Sequence, residues 1–128
     1  MSKNKNKILL IEDDKFLAKM LSKILESHNY EVALAVNGRE GLLKASTENP
    51  SLILLDIILP DIDGFNLLET IRKDEKTKKI PVIIISNLGQ PEDIQQGRAL
   101  GVKDYLVKSD IKLEEVVQKL RKYLPSSA

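Results

Sequence analysis

The chain has no cysteine and a single histidine, His28, in its 128 residues. Without cysteine it can form no disulfide, no thiolate zinc site and no cysteine nucleophile. One histidine leaves a Ser-His-Asp triad a single candidate base and excludes histidine-rich metal sites. The composition therefore excludes several common kinds of catalytic and metal centre.

Long apolar segments and an excess of one charge are also missing. No run approaches the ~20 apolar residues that a membrane-spanning helix needs, and the first, Ile8 to Ile11, is stopped by Glu12. Lysine plus arginine total 20 against 19 acids, so the net charge is +1 and no basic footprint for nucleic acid is present. We expect a cytoplasmic protein that contacts neither a membrane nor nucleic acid directly.

What the sequence does contain is an alternation of short apolar runs and helical patterns. A chain of this length with 42% hydrophobic residues suits one globular domain. Strands apolar on both faces and joined by helices indicate a parallel sheet covered on both sides. The predicted fold class is α/β, a flavodoxin-like doubly wound sheet of five parallel strands in the order 2-1-3-4-5 with helices on both faces. The strands are predicted at 8–11, 31–36, 52–55, 82–85 and 102–107.

The pattern also predicts which helical side chains are buried and where the folded domain ends. The first helix is expected to bury one apolar stripe, made of Phe16, Leu17, Met20, Leu21, Ile24 and Leu25. The second is expected to bury Leu42, Leu43 and Ala45. We divide the chain into a basic flexible N-terminus (1–7), one folded domain (8–124) and a flexible C-terminal end (125–128).

Polar residues follow the predicted strands. Glu12 and Asp13 follow the first strand, Asp56 the third and Ser86 the fourth, and the fifth leads to Lys108. Ligands of an open α/β sheet bind beyond the carboxyl ends of the strands, where the strand order reverses, here between the first and third strands. Three carboxylates should converge there, and their repulsion favours a bound cation. Oxygen ligands without histidine or cysteine select a hard ion, Mg²⁺ or Mn²⁺.

A lysine and a hydroxyl beside such an ion are suited to binding a phosphoryl group. A carboxylate at the metal can itself be the nucleophile and form an acyl phosphate. Asp56 is the candidate nucleophile, because it is central at the reversal of strand order.

A family resemblance rests on five short stretches in order: residues 8–14, 54–56, 59–64, 84–86 and 101–108. Each stretch is weak evidence alone, but together, at the ends of the right strands, they are specific. Over residues 7–124 the sequence resembles a response-regulator receiver domain, the CheY-like family of two-component signal transduction. The resemblance implies a phosphorylation switch that is not an enzyme beyond catalysing its own phosphorylation and dephosphorylation.

The resemblance also implies a role for each site residue. Asp56 would accept a phosphoryl group from a sensor histidine kinase or a phosphotransfer protein, and Lys108 would pair with that group. Asp13, Asp56 and the backbone carbonyl of Ile58 would hold Mg²⁺, with Glu12 assisting through water.

A switch role follows for two further residues. Ser86 would be drawn toward the phosphoryl group and Tyr105 would swing inward with it, although Tyr105 can equally be a half-buried strand aromatic. The movement would alter the surface of helix 4, strand 5 and helix 5, which we expect to bind a downstream protein partner. Its members include Ile94, Gln95, Arg98, Lys103 and Tyr105.

Three residues depart from the family pattern. Ser109 replaces the proline that usually follows the lysine, and a cis bond before a non-proline residue costs about 3 kcal/mol, which favours a trans Lys108–Ser109 bond. Asn87 stands where a small residue is usual and would narrow access to the phosphoryl group or hydrogen-bond to it. Leu88 adds a bulky apolar group near the mouth, so we expect a longer-lived phosphoryl state.

Two other functions remain open from the sequence. A degenerate receiver would bind partners without phosphorylation, and the departures at Asn87 and Ser109 are compatible with that reading. A phosphohydrolase of the haloacid-dehalogenase type also uses an aspartate nucleophile at a strand end. That chemistry needs a second aspartate two residues later as general acid, where this chain has Ile58.

Overall fold

A computed structural model describes residues 6–125 of the chain. Five strands alternate with five α-helices: β1 (Lys7–Ile11), α1 (Lys15–Ser27), β2 (Glu31–Ala35), α2 (Gly38–Thr47), β3 (Leu52–Leu55), α3 (Gly64–Lys73), β4 (Val82–Ser86), α4 (Pro91–Ala99), β5 (Asp104–Val107) and α5 (Leu113–Tyr123). A 3₁₀ turn, Lys108–Asp110, follows β5. The five strands are parallel and lie in the order β2-β1-β3-β4-β5, which confirms the predicted topology.

Alternate residues of each central strand enter opposite layers of the core. On one face, Ile8 and Leu10 of β1 and Leu52 and Leu54 of β3 pack against α1 and α5. On the other face, Leu9 and the remaining apolar residues of these strands pack against α2 and α3. Both faces of β1, β3 and β4 are therefore dry, as their unbroken apolar runs indicated.

Three of the helices begin at a polar side chain that caps them. Asp14 accepts hydrogen bonds from the backbone N–H groups of Phe16 and Leu17, and Asp63 accepts one from Phe65. Asn37 is the N-cap of α2. Such caps satisfy backbone donors that the first helical turn leaves without partners. They fix where each helix starts, directly beyond the carboxyl edge of the sheet.

The structure corrects the expected burial of three side chains and some of the expected strand bounds. Phe16 is 75% exposed and Met20 39% exposed, because the inward stripe of α1 is narrower than its apolar periodicity and is filled by Ala18, Leu21 and Leu25. Leu43 is 62% exposed rather than buried. Strand β5 begins at residue 104, not 102, and β2 ends at residue 35, not 36.

The chain ends differ in part from their expected description. Strand β1 already includes Lys7, one residue before the predicted domain start, and it pairs with Glu31 in the sheet. Asn6 donates a hydrogen bond to the carbonyl of Pro125. The remainder of both predicted flexible ends, residues 1–5 and 126–128, lies outside the described residues. Within residues 6–125, no helix is both long and apolar enough to cross a membrane.

Candidate functional site

The carboxyl ends of four adjacent strands bring the predicted polar residues to one place. The last paired residues of the sheet run across it in register, with Ile11 beside Leu55 and Leu55 beside Ile84. Asp56 extends this register by donating its backbone N–H to the carbonyl of Ile11 at 3.0 Å. The residues that follow the strands therefore start from one edge and face one crevice, as the strand order requires.

Lys108 connects two of the acids directly. Its Nζ lies 2.7 Å from Oδ2 of Asp56 and 3.0 Å from Oε1 of Glu12. Glu12 and Lys108 are 96 positions apart in the chain, so this contact exists only because β1 and β5 end at the same edge. Two of the expected carboxylates and the expected lysine therefore lie in direct contact.

Burial gives this cluster unusual electrostatics. Glu12 is fully buried and Asp56 is 3% exposed. Burial, together with the neighbouring charge of Asp56, raises the pKa of Glu12 to about 7. For Lys108, burial by itself would lower the pKa, but the hydrogen bonds and charges of Asp56 and Glu12 outweigh it and the pKa lies above its ordinary value. Lys108 is therefore a fixed cation beside acids that water does not screen.

The acids also form a ligand set for a hard cation. Oxygens of Glu12, Asp13 and Asp56 all lie within 4.8 Å of one another. Within residues 6–125, Oε1 of Glu12 is the one buried side-chain oxygen or nitrogen that takes part in no hydrogen bond, although the Lys108 ammonium lies 3.0 Å from it. A buried carboxylate oxygen without a hydrogen bond is stabilised by nearby positive charge, which Lys108 supplies and a metal ion would add to. Three oxygen donors with no nitrogen or sulfur fit Mg²⁺ or Mn²⁺.

Hydrogen bonds to Asp56 define its orientation. Oδ1 accepts from the backbone N–H of Ile58 at 3.0 Å, and Oδ2 accepts from Lys108. The side chain of Ile58 is 49% exposed and points no functional group at the site. All peptide bonds among the described residues are trans, including that between Lys108 and Ser109. The substitution of Ser109 for proline does not prevent Lys108 from reaching both acids.

Ser86 and Tyr105 both form hydrogen bonds with the backbone of Leu88, in the loop between β4 and α4. Ser86 is fully buried and its Oγ accepts from the backbone N–H of Leu88 at 3.3 Å. The Tyr105 hydroxyl donates to the carbonyl of Leu88 at 2.6 Å. Burial, with smaller effects of Asp93 and Asp56, raises the pKa of Tyr105 to about 12. Leu88 is thus fixed from both sides.

The remaining predicted residues are distributed over this loop and the neighbouring surface. Asn87 is exposed beside Leu88. On the expected partner surface, Gln95, Arg98 and Lys103 are exposed, whereas Ile94 is partly buried. Tyr105 is only 8% exposed, so its side chain contributes little to that surface in this arrangement.

Sequence reasoning missed one residue that shapes the crevice. Asp61 accepts hydrogen bonds from the backbone N–H groups of Gly38 and Arg39 at 2.7 and 3.0 Å, which lowers its pKa. The contact ties the loop between β3 and α3 to the start of α2. Gly64 adds a second constraint, because a Cβ at this position would lie 2.4 Å from the Cα of Ile57. No local pattern links Asp61 to residues more than 20 positions earlier.

Comparisons with known proteins agree with the geometry. The family profile of the response regulator receiver domain matches residues 8–121. The chain is 40% identical over 118 residues to the DNA-binding dual master transcriptional regulator RpaA of Synechocystis, covering 92% of this chain but 48% of RpaA. It is 36% identical over 102 residues to protein PilH of Pseudomonas aeruginosa, covering 80% of this chain and 84% of PilH. The chain thus spans about half the length of the first relative and most of the second.

A solved structure shows the same similarity in three dimensions. The chemotaxis protein CheY4 of Vibrio cholerae superposes with a TM-score of 0.84 at 30% identity, covering 92% of this chain and 98% of CheY4.

Proposed function

The chain belongs to the response regulator receiver family, and from that premise we propose that Asp56 is its phosphoryl acceptor. Receiver domains are in general signalling modules rather than enzymes. The observation that carries the proposal is the buried contact between Asp56 and Lys108 at 2.7 Å, with Glu12 at the same lysine. The donor would be a sensor histidine kinase or a phosphotransfer protein.

The chemistry follows from the two oxygens of Asp56. One carboxylate oxygen forms a bond to phosphorus, and the bond between phosphorus and the phosphohistidine nitrogen breaks, the nitrogen keeping the electron pair. The product, an acyl phosphate, brings about −1.5 to −2 charge into a buried crevice. Lys108 is held in place to pair with the new phosphoryl oxygens, since its ammonium already lies against Oδ2. No further base is needed, because the attacking group is already an anion.

Mg²⁺, or Mn²⁺ in its place, would be held by Asp13, Asp56 and the backbone carbonyl of Ile58, with Glu12 assisting through water. Bound there, the ion would supply positive charge that offsets the phosphoryl oxygens and the acids. The proposal is supported by the acid cluster and by Oε1 of Glu12, which is buried and takes part in no hydrogen bond. Exposed Asp13 lies at the open side of the cluster, where an ion can enter.

The switch would act through the loop at Leu88. Drawing the Ser86 hydroxyl toward the phosphoryl group would remove the bond from Leu88 N–H to Ser86 Oγ. The Leu88 carbonyl is the acceptor for Tyr105, so the two residues respond to one loop movement. The surface formed by α4, β5 and α5 would then change and bind a downstream protein partner.

Phosphorylation by a small-molecule donor tests the proposal. The protein is incubated with acetyl phosphate and Mg²⁺, and intact mass is recorded. We expect one phosphoryl adduct in the wild type, none in Asp56→Asn, and none when EDTA replaces Mg²⁺. Asp63→Asn is the matched control, since asparagine caps a helix as well as aspartate does and the adduct should persist. No adduct on the wild type, or an adduct on Asp56→Asn, would overturn the assignment; the first result would favour the degenerate receiver.

A further inference from the structure

Arg72, in the last turn of α3, has no role in the proposed phosphorylation chemistry. Its guanidinium is half-buried, and burial lowers its pKa from the ordinary value. Among the part of the chain that the structure describes, no carboxylate forms an ion pair with it. A cation removed from water in this way needs other partners.

Those partners are four backbone carbonyls in two separate segments. Nε donates to Leu100 at 2.9 Å and one terminal nitrogen donates to Gly101 at 3.2 Å. The other terminal nitrogen donates to Ile80 at 2.8 Å and to Lys78 at 3.2 Å. A planar guanidinium can serve both segments at once, whereas a lysine ammonium is a single point of charge.

The first segment is the carboxyl-terminal end of α4. Leu100 is its C-cap and Gly101, at φ 78°, makes the left-handed turn that ends the helix. A helix end of this kind presents carbonyls without helical partners and a partial negative charge. The second segment leads into β4, which begins at Val82. Arg72 therefore joins the end of α4 to the entrance of the central strand β4.

Among the described residues, the amino-terminal end of α4 has no comparable side-chain clamp from another element. Its polar bonds are local, since Asp93 accepts from the backbone of Gln90 and Ile94 donates to the carbonyl of Gln90. A cavity of about 540 Å³ lies between the loop that joins β3 to α3 and the side of α4 that carries Asp93 and Gln96. Of the nine residues of α4, Gly97 is the one that is buried, and it lies toward the carboxyl-terminal end.

We propose that Arg72 is a positioning residue that makes the carboxyl-terminal end of α4 a fixed pivot, so that the helix opens and moves from its amino-terminal end. The role of Arg72 in signalling rests on the proposed phosphorylation of Asp56. A shift of the loop at Leu88 would rotate α4 about the clamped end and leave the start of β5 in register. Arg72 would thus determine which part of the partner surface responds to phosphorylation.

Backbone amide exchange, resolved by residue with NMR, tests the pivot in the protein without phosphate. Helix ends fray at both termini by default. We expect the amide of Ile94 to exchange at least about tenfold faster than those of Leu100, Gly101 and Lys103, after correction for intrinsic rates. Arg72→Lys should raise exchange at the last three by at least about tenfold and abolish the gradient.

The matched control is Arg39→Lys, the same change at an exposed position of α2, which should leave the gradient intact. Equal exchange at the two ends of wild-type α4 would overturn the pivot even if Arg72→Lys failed to fold. Unchanged exchange in Arg72→Lys would overturn the role of Arg72.

A second arm adds beryllofluoride and Mg²⁺ as a mimic of the phosphoryl group. In the wild type, exchange should change at Ile94 and stay within about twofold at Leu100. In Arg72→Lys the change should spread to Leu100, which a merely stabilising side chain would not cause. Equal change at both ends of the wild type would overturn the pivot. If the wild type binds no mimic and takes no phosphoryl group, the proposed function fails, while the first arm still decides whether Arg72 clamps α4.

Discussion

Two clusters of one lysine and two acids stand at opposite edges of the sheet. At the amino edge, Lys7 lies 3.7 Å from Glu31 and 3.1 Å from Glu48, and the two acids keep 56% and 39% of their side-chain surface exposed. At the carboxyl edge, Lys108 lies 3.0 Å from Glu12 and 2.7 Å from Asp56, whose side chains are 0% and 4% exposed.

The difference between the two clusters is burial, not charge. Water screens the charges of the Lys7 cluster, so its exposed ion pairs add little to the free energy of unfolding. In the Lys108 cluster the same charges interact without screening, and the pKa of Glu12 rises to about 7. Burial at the strand ends therefore gives the Lys108 cluster electrostatic properties that the Lys7 cluster, with the same charges, does not have.

Replacing the lysine of each cluster should give the largest difference in stability between the two clusters. Lys108→Met leaves two buried acids without their cation, and we expect unfolding free energy at pH 8 without metal to fall by about 3 kcal/mol. Lys7→Met should cost at most about 1 kcal/mol. Urea unfolding measures both, and equal losses would show that burial does not distinguish the clusters.

Glu12→Gln tests the same contrast through pH. The pKa of Glu12 is raised from 4.5 to about 7 on folding, so the folded state holds this proton more tightly than the unfolded chain. Its contribution to stability is complete below about pH 4.5 and is lost as pH rises through 7. In EDTA we expect the wild type to lose up to about 3 kcal/mol across this range, at about 1.4 kcal/mol for each pKa unit.

Glu12→Gln should flatten that loss, whereas Glu48→Gln in the exposed cluster should leave the wild-type pH profile in place. Denaturant unfolding at half-unit pH steps gives the profiles. A Glu12→Gln profile as steep as that of the wild type would refute the raised pKa.

The next largest effect should come from water access to the buried cluster, measured as the rate at which the phosphoryl group is lost. Leu88 is fixed by two hydrogen bonds beside the site and Asn87 precedes it. Replacing both by alanine should speed loss of the phosphoryl group about threefold to tenfold, or about 1 kcal/mol in the barrier. Phosphate release after removal of the donor measures the rate. Gln95→Ala, on exposed α4 surface, is the control, and an unchanged lifetime in the double variant would count against the loop as a barrier.

Salt should produce the smallest effect. In 1 M NaCl the screening length is about 3 Å, so the loss caused by Lys7→Met should shrink by about half a kcal/mol or less. The loss caused by Lys108→Met should not change measurably, because salt does not enter the buried cluster. An equal salt response of the two variants would show that water reaches both.

The sequence predicted the sheet because β1, β3 and β4 are apolar on both faces, a pattern that parallel sheets require. It predicted that Glu12, Asp56, Ser86 and Lys108 lie at one edge, because each follows a strand that ends there. Both inferences use strand-level geometry, which spacing along the chain determines well.

What the sequence did not predict depends on contacts between distant elements. The exposure of Phe16 and Leu43 depends on how much of each helix the sheet covers, which periodicity does not report. Asp61 and Arg72 bind backbone groups of other elements. Backbone groups are the same in nearly every residue, so the sequence does not show which of them a side chain will bind. Tyr105 is buried because Leu88 and α4 lie against it. The sequence does not report their positions, so it could not decide between a switch residue and a half-buried strand aromatic.

The most direct test of the account is to locate the phosphoryl group on the chain. After reaction with acetyl phosphate and Mg²⁺, borohydride reduction converts an aspartyl phosphate to homoserine, which tandem mass spectrometry of peptides locates. Phosphorylation of Asp56 predicts homoserine at position 56 alone. Homoserine at the position of Asp13 or Asp61 instead, or none in a protein that carries the adduct, would contradict it.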